Sequence, residues 1–176
     1  MRLHGGFRLT EREECKRPIE NVKTYLAARG LADRVIEFDQ SSATVAEAAA
    51  DLGCEEARIA KTMAFQTSEG PVLVVMAGDG KVDNPRFKAQ FHCKAAMVRP
   101  DELVEKVGHP MGGVCPFDLR PGVPVYLDES LRRFDVVYPA AGNAASAVRL
   151  SVPELEQAVQ NFAAWVDIAK NWRPNE

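Results

Sequence analysis

The seven residues Pro71-Val72-Leu73-Val74-Val75-Met76-Ala77 include no polar side chain. A strand with one wet face alternates apolar and polar residues, so this unbroken run reads as a central strand covered on both faces. Two layers must then be supplied to cover it. A chain of 176 residues is long enough for one well-packed domain and short for two.

The neighbouring stretch Arg58-Ile59-Ala60-Lys61-Thr62-Met63-Ala64-Phe65 also reads as a strand. Alternation puts Ile59, Lys61, Met63 and Phe65 on one face, with Ala60, Thr62, Ala64 and Gln66 on the other. Lys61 therefore shares a face with three large apolar residues, the face expected to meet the core. An unpartnered ammonium is too costly to bury. Either the stem packs while the head snorkels to water, or Lys61 opens into a wet cleft and meets an anionic or carbonyl-bearing ligand.

Along the rest of the chain, residues 1–16 are charged and unpatterned, as expected of a loose leader before a domain spanning 17–173. Residues 18–29 fit a helix that Gly30 ends, and 34–38 a short strand. Thr44 and Glu47 fit a capping box before an alanine-rich helix stopped by Gly53. Asp83-Asn84-Pro85 opens a further helix, 93–98 fits a strand, and a helix from Pro100 closes at Gly108. Residues 123–127, 134–138 and 147–150 read as strands. Ser151 and Glu154 form a second capping box, and Leu155, Val159, Phe162, Val166 and Ala169 then space as one helical stripe. Short strands broken by helices, without regular alternation, predict a single α+β domain on a mixed sheet or partial barrel.

Composition excludes some functions. A formal net charge of −3 argues against wrapping a nucleic-acid backbone, although Lys81, Arg86, Lys88 and Lys94, relieved by Asp83, make a local basic patch. No apolar run reaches the ~20 residues of a membrane span, and the N-terminus lacks the apolar core of a signal peptide. Cys15, Cys54, Cys93 and Cys115 show no metal spacing, and without an export signal free thiols are expected. The chain reads as cytoplasmic, with neither membrane nor DNA as partner.

The second unusual feature is the loop 108–117, Gly-His-Pro-Met-Gly-Gly-Val-Cys-Pro-Phe. Adjacent glycines let a backbone approach a ligand and aim N–H groups at an anion or oxyanion, although such a pair is more often only a turn. The loop carries neither a phosphate-binding Gly-Lys-Ser/Thr nor a Gly-x-Ser-x-Gly elbow. Of the histidines, His4 falls in the leader and His92 near a helix end. His109 is a site candidate against the plainer expectation of a solvent-exposed loop histidine. Cys115 has no histidine spaced to activate it, so a small packing cysteine is expected rather than a nucleophile. Asp128, at a strand end, equally suits capping the turn that follows.

These motifs, in this order and with Ala-Gly-Asp, Val-Tyr-Leu-Asp-Glu and Ala-Ala-Gly-Asn between and after them, resemble the YbaK/EbsC family. Those are aminoacyl-tRNA deacylases related to the editing domain of bacterial prolyl-tRNA synthetase. The resemblance runs from about Tyr25 to Val159. It implies one α+β domain around a mixed, barrel-like sheet surrounded by helices. It also implies ester hydrolysis, in trans to the synthetase, of a small amino acid wrongly attached to tRNA of the proline type. No cofactor or metal is implied, and the partners would be the aminoacyl-tRNA acceptor end and prolyl-tRNA synthetase.

Lys61 matches the family's essential lysine, and Gly112-Gly113 the segment that holds the ester end. Lys61 is then expected to stabilise developing negative charge, with N–H groups of Gly112, Gly113 and Val114 as the oxyanion hole and water as the nucleophile. In the cysteine-acting branch the substrate's own thiol is the alternative nucleophile. Phe38, Met76 and Asn143 are expected to line the pocket, with Thr44, His109, Cys115, Asp128 and Gly142 as further substrate-side candidates. Four positions depart from relatives: many carry serine or threonine where Cys115 stands and often a glycine near Asp118, Ala147 stands where the cysteine-specific branch has aspartate, and Tyr138 about where the alanine-specific branch has histidine. Two other readings stay open: a non-catalytic module of the same fold that holds tRNA ends or a synthetase, and a hydrolase using Cys115.

Overall fold

A computed structural model describes residues 11–42 and 44–176, with side chains from Pro18 onward. The first ten residues of the expected leader, with His4, and the Cys15 thiol lie outside the described residues. The backbone is already helical at Glu11, inside the segment expected to be loose: α1 runs Glu11–Ala27. Gly30 follows with φ 72°.

The sheet is organised on the apolar run. β2 (Ala60–Thr67) and β3 (Gly70–Ala77) form an antiparallel hairpin that pairs Lys61 with Met76. β3 pairs parallel with β5 (Val125–Asp128), and β5 parallel with β9 (Phe162–Val166). β3 is covered on both faces, as its composition requires. Leu73, Val75 and Ala77 pack with Val125, Leu127, Val22 and Leu26, whereas Val72, Val74 and Met76 pack with Phe65, Phe87 and Ile168. Alternate residues of one strand thus nucleate two separate cores.

Three antiparallel two-stranded ladders surround this sheet. They pair β1 (Val35–Glu37) with β7 (Ser146–Val148), β4 (Lys81–Val82) with β10 (Ala169–Lys170), and β6 (Val136–Val137) with β8 (Leu150–Ser151). The architecture is the expected α+β domain with a mixed sheet, but the strands stay open and do not close into a barrel.

The helix starts follow local chemistry. In α2 (Val45–Leu52) the Thr44 hydroxyl accepts from Glu47 N, and Gly53 ends the helix in the left-handed conformation. In α3 (Asn84–Phe91) the Asp83 carboxylate accepts from Arg86 N. The segment after Pro100 is a 3₁₀ turn leading into the short α4 (Leu103–Lys106). In α5 (Val152–Ala158) Ser151 and Glu154 form a reciprocal capping box.

Two expected elements differ. Residues 93–98 contribute only a single bridge, Met97 to Phe65, rather than a strand. The last helix stops at Ala158, and the second half of its stripe is strand β9. Asn161 turns the chain with φ 53° while its Nδ2 donates to Val123 O at 3.2 Å. That turn lets Phe162–Val166 complete the hydrogen bonding of β5. Over so short a run, helical spacing and a partly buried strand fit the same apolar residues. Phe162 decides between them: it is 37% exposed, not buried on a helix face.

Candidate active site

A cavity of about 470 Å³ opens beside the edge strand β2. Ala60, Thr62 and Ala64, alternate residues of that strand, line it. Phe38, Thr44 and Ala48 on and before α2 form one wall, and Met97, Pro100 and Leu103 another. Gly112 and Val114 close it from the glycine loop, while Tyr138, Asn143 and Ala147 close the remaining side. Volumes of this size hold small ligands. Alanine recurs in the lining at positions 48, 60, 64, 140, 144 and 147, so the space comes from the absence of side-chain bulk.

Lys61 borders the cavity from the start of β2, with its side chain on the face it shares with Met76. Its ammonium donates to the carbonyl of Gly80, in the turn after β3. Burial pushes the Lys61 pKa below the usual lysine value, against the pull of the Asp79 carboxylate and with a further push down from Lys81. The turn is held from two sides. A Cβ on Gly78 would lie 2.1 Å from the Glu56 carbonyl, so only glycine fits there. Asp79 is clasped by Arg133 at 2.6 and 2.9 Å, a bidentate pairing that fixes direction as well as distance.

In the glycine loop, Gly113 N–H is already spent on Pro110 O at 3.0 Å. It is therefore not available as the expected oxyanion donor. Gly113 has a steric role instead: a Cβ there would sit 2.4 Å from the Gly142 carbonyl. The N–H groups of Gly112 and Val114 have no protein acceptor among the described residues. The facing wall is stiffened internally, with Asn143 Oδ1 accepting from Ala145 N at 2.9 Å and Ser146 Oγ from Ala141 N at 3.2 Å.

Of the expected site residues, Lys61, Gly112, Val114, Phe38, Thr44 and Asn143 meet at the cavity. The others lie away from it, each for a local reason. Met76 is fully buried in the second core, on the opposite sheet face. Asp128 is buried and accepts from the backbone N–H of Ser130, Ile168 and Ala169, so it binds loops together. Gly142, at φ 98°, packs against the Pro18 carbonyl.

His109 is fully buried rather than solvent-exposed. Its Nε2 donates to Phe117 O at 2.6 Å and stands 3.4 Å from Cys115 Sγ. Burial lowers the His109 pKa, so the ring is neutral at pH 7. The same burial pushes the Cys115 thiol up to about 12. A histidine does stand beside Cys115, but a solvent-free thiol that holds its proton is packing, not a nucleophile.

Thr62 is the residue that sequence reasoning passed over. It lines the cavity, and its hydroxyl is out of solvent with no hydrogen-bond partner. The signal was available: the small residues Ala60 and Ala64 flank it on one strand face, which leaves room there. Ser146 and Met111 were also missed. Among the described residues no cluster of three His, Cys, Asp or Glu side chains is placed to hold a metal ion.

Comparison with known proteins adds to this geometry. The aminoacyl-tRNA editing domain family matches residues 39–158. The uncharacterized protein YwhH of Bacillus subtilis (strain 168) is 42% identical over 156 residues, covering 88% of this chain and 98% of that protein. A proline–tRNA ligase of Limosilactobacillus fermentum is 32% identical over 96 residues, 51% of this chain and 17% of the ligase. Among solved structures, a protein proposed as a trans-editing enzyme for prolyl tRNA synthetase superposes with a TM-score of 0.79 at 26% identity. That match covers 93% of this chain and all of the other.

Proposed function

The chain belongs to the aminoacyl-tRNA editing domain family, and from that premise we propose that it is a deacylase acting in trans on tRNA carrying a small, wrongly attached amino acid. The observation that carries this reading is the alanine-lined cavity of about 470 Å³ that joins Lys61, Thr62, Gly112 and Val114. An aminoacyl ester is small and has one carbonyl that must be polarised, and those residues supply a cation, a hydroxyl and two free N–H groups.

In the proposed reaction water adds to the ester carbonyl carbon, and the carbonyl oxygen takes up negative charge. The bond from that carbon to the ribose oxygen then breaks, and the ribose oxygen leaves with a proton. Gly112 and Val114 N–H groups donate to the developing oxyanion. Lys61 acts as a fixed positive charge at the cavity edge. The Thr62 hydroxyl gains from the ligand the partner that the protein does not give it. Selection is by size: the walls admit a small side chain, and each extra methylene is worth about 1–3 kcal/mol of discrimination. The tRNA of the proline type is favoured by the two relatives connected with prolyl-tRNA synthesis.

A non-catalytic module of the same fold is the second reading. It is favoured by one observation, the engagement of the Lys61 ammonium by Gly80 O. Incubation with tRNAs mischarged with alanine, serine, threonine or cysteine separates the two. The deacylase reading expects at least one to be hydrolysed, with activity lost in Lys61→Ala and kept in Cys115→Ala. Hydrolysis of none leaves the binding module, and loss only in Cys115→Ala overturns the proposed chemistry.

A further inference from the structure

The ladder of β4 and β10 sets Lys81 directly opposite Lys170. Their neighbours Val82 and Ala169 pack into the second core, so by alternation both lysines face outward, and both are exposed. Like charges directly opposite each other destabilise a strand pair. No carboxylate relieves either one within ion-pair distance among the described residues.

The acids nearby are already committed. Asp79 is clasped by Arg133, Asp83 caps α3, and Asp167 meets Arg173 at 2.8 Å and Arg86 at 3.6 Å. Lys81 also directly follows Gly80, whose carbonyl takes the Lys61 ammonium. Lys81 therefore stands next to the carbonyl that engages the Lys61 ammonium, with Lys170 opposite it on the ladder. The basic patch read from the sequence divides accordingly. Arg86 is consumed by Glu176 at 2.7 Å and by Ala169 O at 3.0 Å, Lys88 and Lys94 stand off the ladder, and Lys81 gains Lys170 as a new neighbour.

We propose that Lys81 and Lys170 form a phosphate-binding pair that receives the RNA backbone beside the ester-bearing ribose. This rests on reading the cavity as an aminoacyl-ester site. A phosphodiester between the two ammonium groups turns a repulsive cross-strand pair into a clamp. Phosphate contacts fix position and register without reading sequence, so the pair would orient the 3′ end with its ester toward Lys61.

The test measures binding of a fluorescently labelled RNA hairpin, a tRNA acceptor stem ending in 3′-CCA and uncharged, across about 50 to 200 mM salt. The proteins compared are the wild type, Lys81→Gln/Lys170→Gln, and Lys88→Gln/Lys94→Gln. The ladder variant is expected to bind about tenfold more weakly at the lowest salt. Its slope of log affinity against log salt should fall by about 0.7, the value for one single-strand phosphate. Its melting temperature should be unchanged or higher, because a repulsion is removed, and the control pair should change affinity less than about threefold. Unchanged affinity and slope in the ladder variant, equal losses in both variants, or no binding by the wild type overturns the proposal. Because the RNA is uncharged, failure to hydrolyse any ester bears on the proposed function alone.

Discussion

Two places in this fold hold polar side chains whose acidity burial alters, and they have opposite surroundings. Lys61 sits on an edge strand, half-buried at the border of a cavity. The His109–Cys115 pair is sealed in the larger core, with both polar atoms turned onto the Phe117 carbonyl. In both places burial is the largest cause of the altered acidity. Altered acidity therefore does not separate a site from a packed polar pair. Access to a cavity does, and only Lys61 has it. The glycine loop joins the two regions: Gly112 and Val114 face the cavity, while His109 and Cys115 from the same ten residues enter the core.

Gly113 lies at that junction, and breaking it has the largest expected stability effect. A Cβ there meets backbone that has no rotamer by which to yield. Gly113→Ala should lose about 1–3 kcal/mol in urea unfolding and lose activity as well, because both sides of the loop move.

A smaller effect separates the buried side. Below about pH 6.5 the unfolded chain takes up a proton that the buried His109 ring refuses. Stability should therefore be full above that pH and fall as pH drops, by up to about 1.4 kcal/mol per pH unit until the lowered folded pKa is reached. His109→Gln should flatten this slope in thermal melts between about pH 6.5 and 5. A slope that persists would mean that the ring is not held neutral.

Thr62→Val probes the cavity side. Removing a hydroxyl that has no partner should change stability by less than about 1 kcal/mol. It should nevertheless lower kcat/KM for the mischarged tRNA about tenfold, equivalent to one lost hydrogen bond to the substrate. The smallest effect is at Cys115: a thiol with pKa about 12 and no solvent contact should resist alkylation in the native protein and react only after unfolding, as read by mass spectrometry.

What was legible in the sequence was local. The apolar run 71–77 declared a strand covered on both faces, and Thr44, Asp83 and Ser151 cap helices because capping depends on neighbours within one turn. Lys61, Phe38 and Asn143, singled out from the sequence, all lie among the residues around one cavity. The rest depended on partners distant along the chain. The strand at 162–166 exists because β5 offers it an edge, a pairing that no window of sequence contains. His109 is buried because its loop folds over the core formed by Phe117 and Val107, and a glycine-rich loop gives no local sign of that. Gly113 illustrates the same limit. Its glycine was singled out as an oxyanion donor, but its N–H turns inward to Pro110 and its missing side chain serves packing against Gly142.

The central claim, that the lysine at the cavity and not the buried histidine–cysteine pair carries the chemistry, is tested most directly by single-turnover deacylation. Lys61→Met and His109→Gln are compared on one preparation of mischarged tRNA, with folding verified for each. The account predicts a fall of about 10²–10³ for Lys61→Met, and a rate within about threefold of wild type for His109→Gln, the range expected of a residue outside the reacting groups. A full rate in Lys61→Met, or a collapse in folded His109→Gln alone, would contradict it.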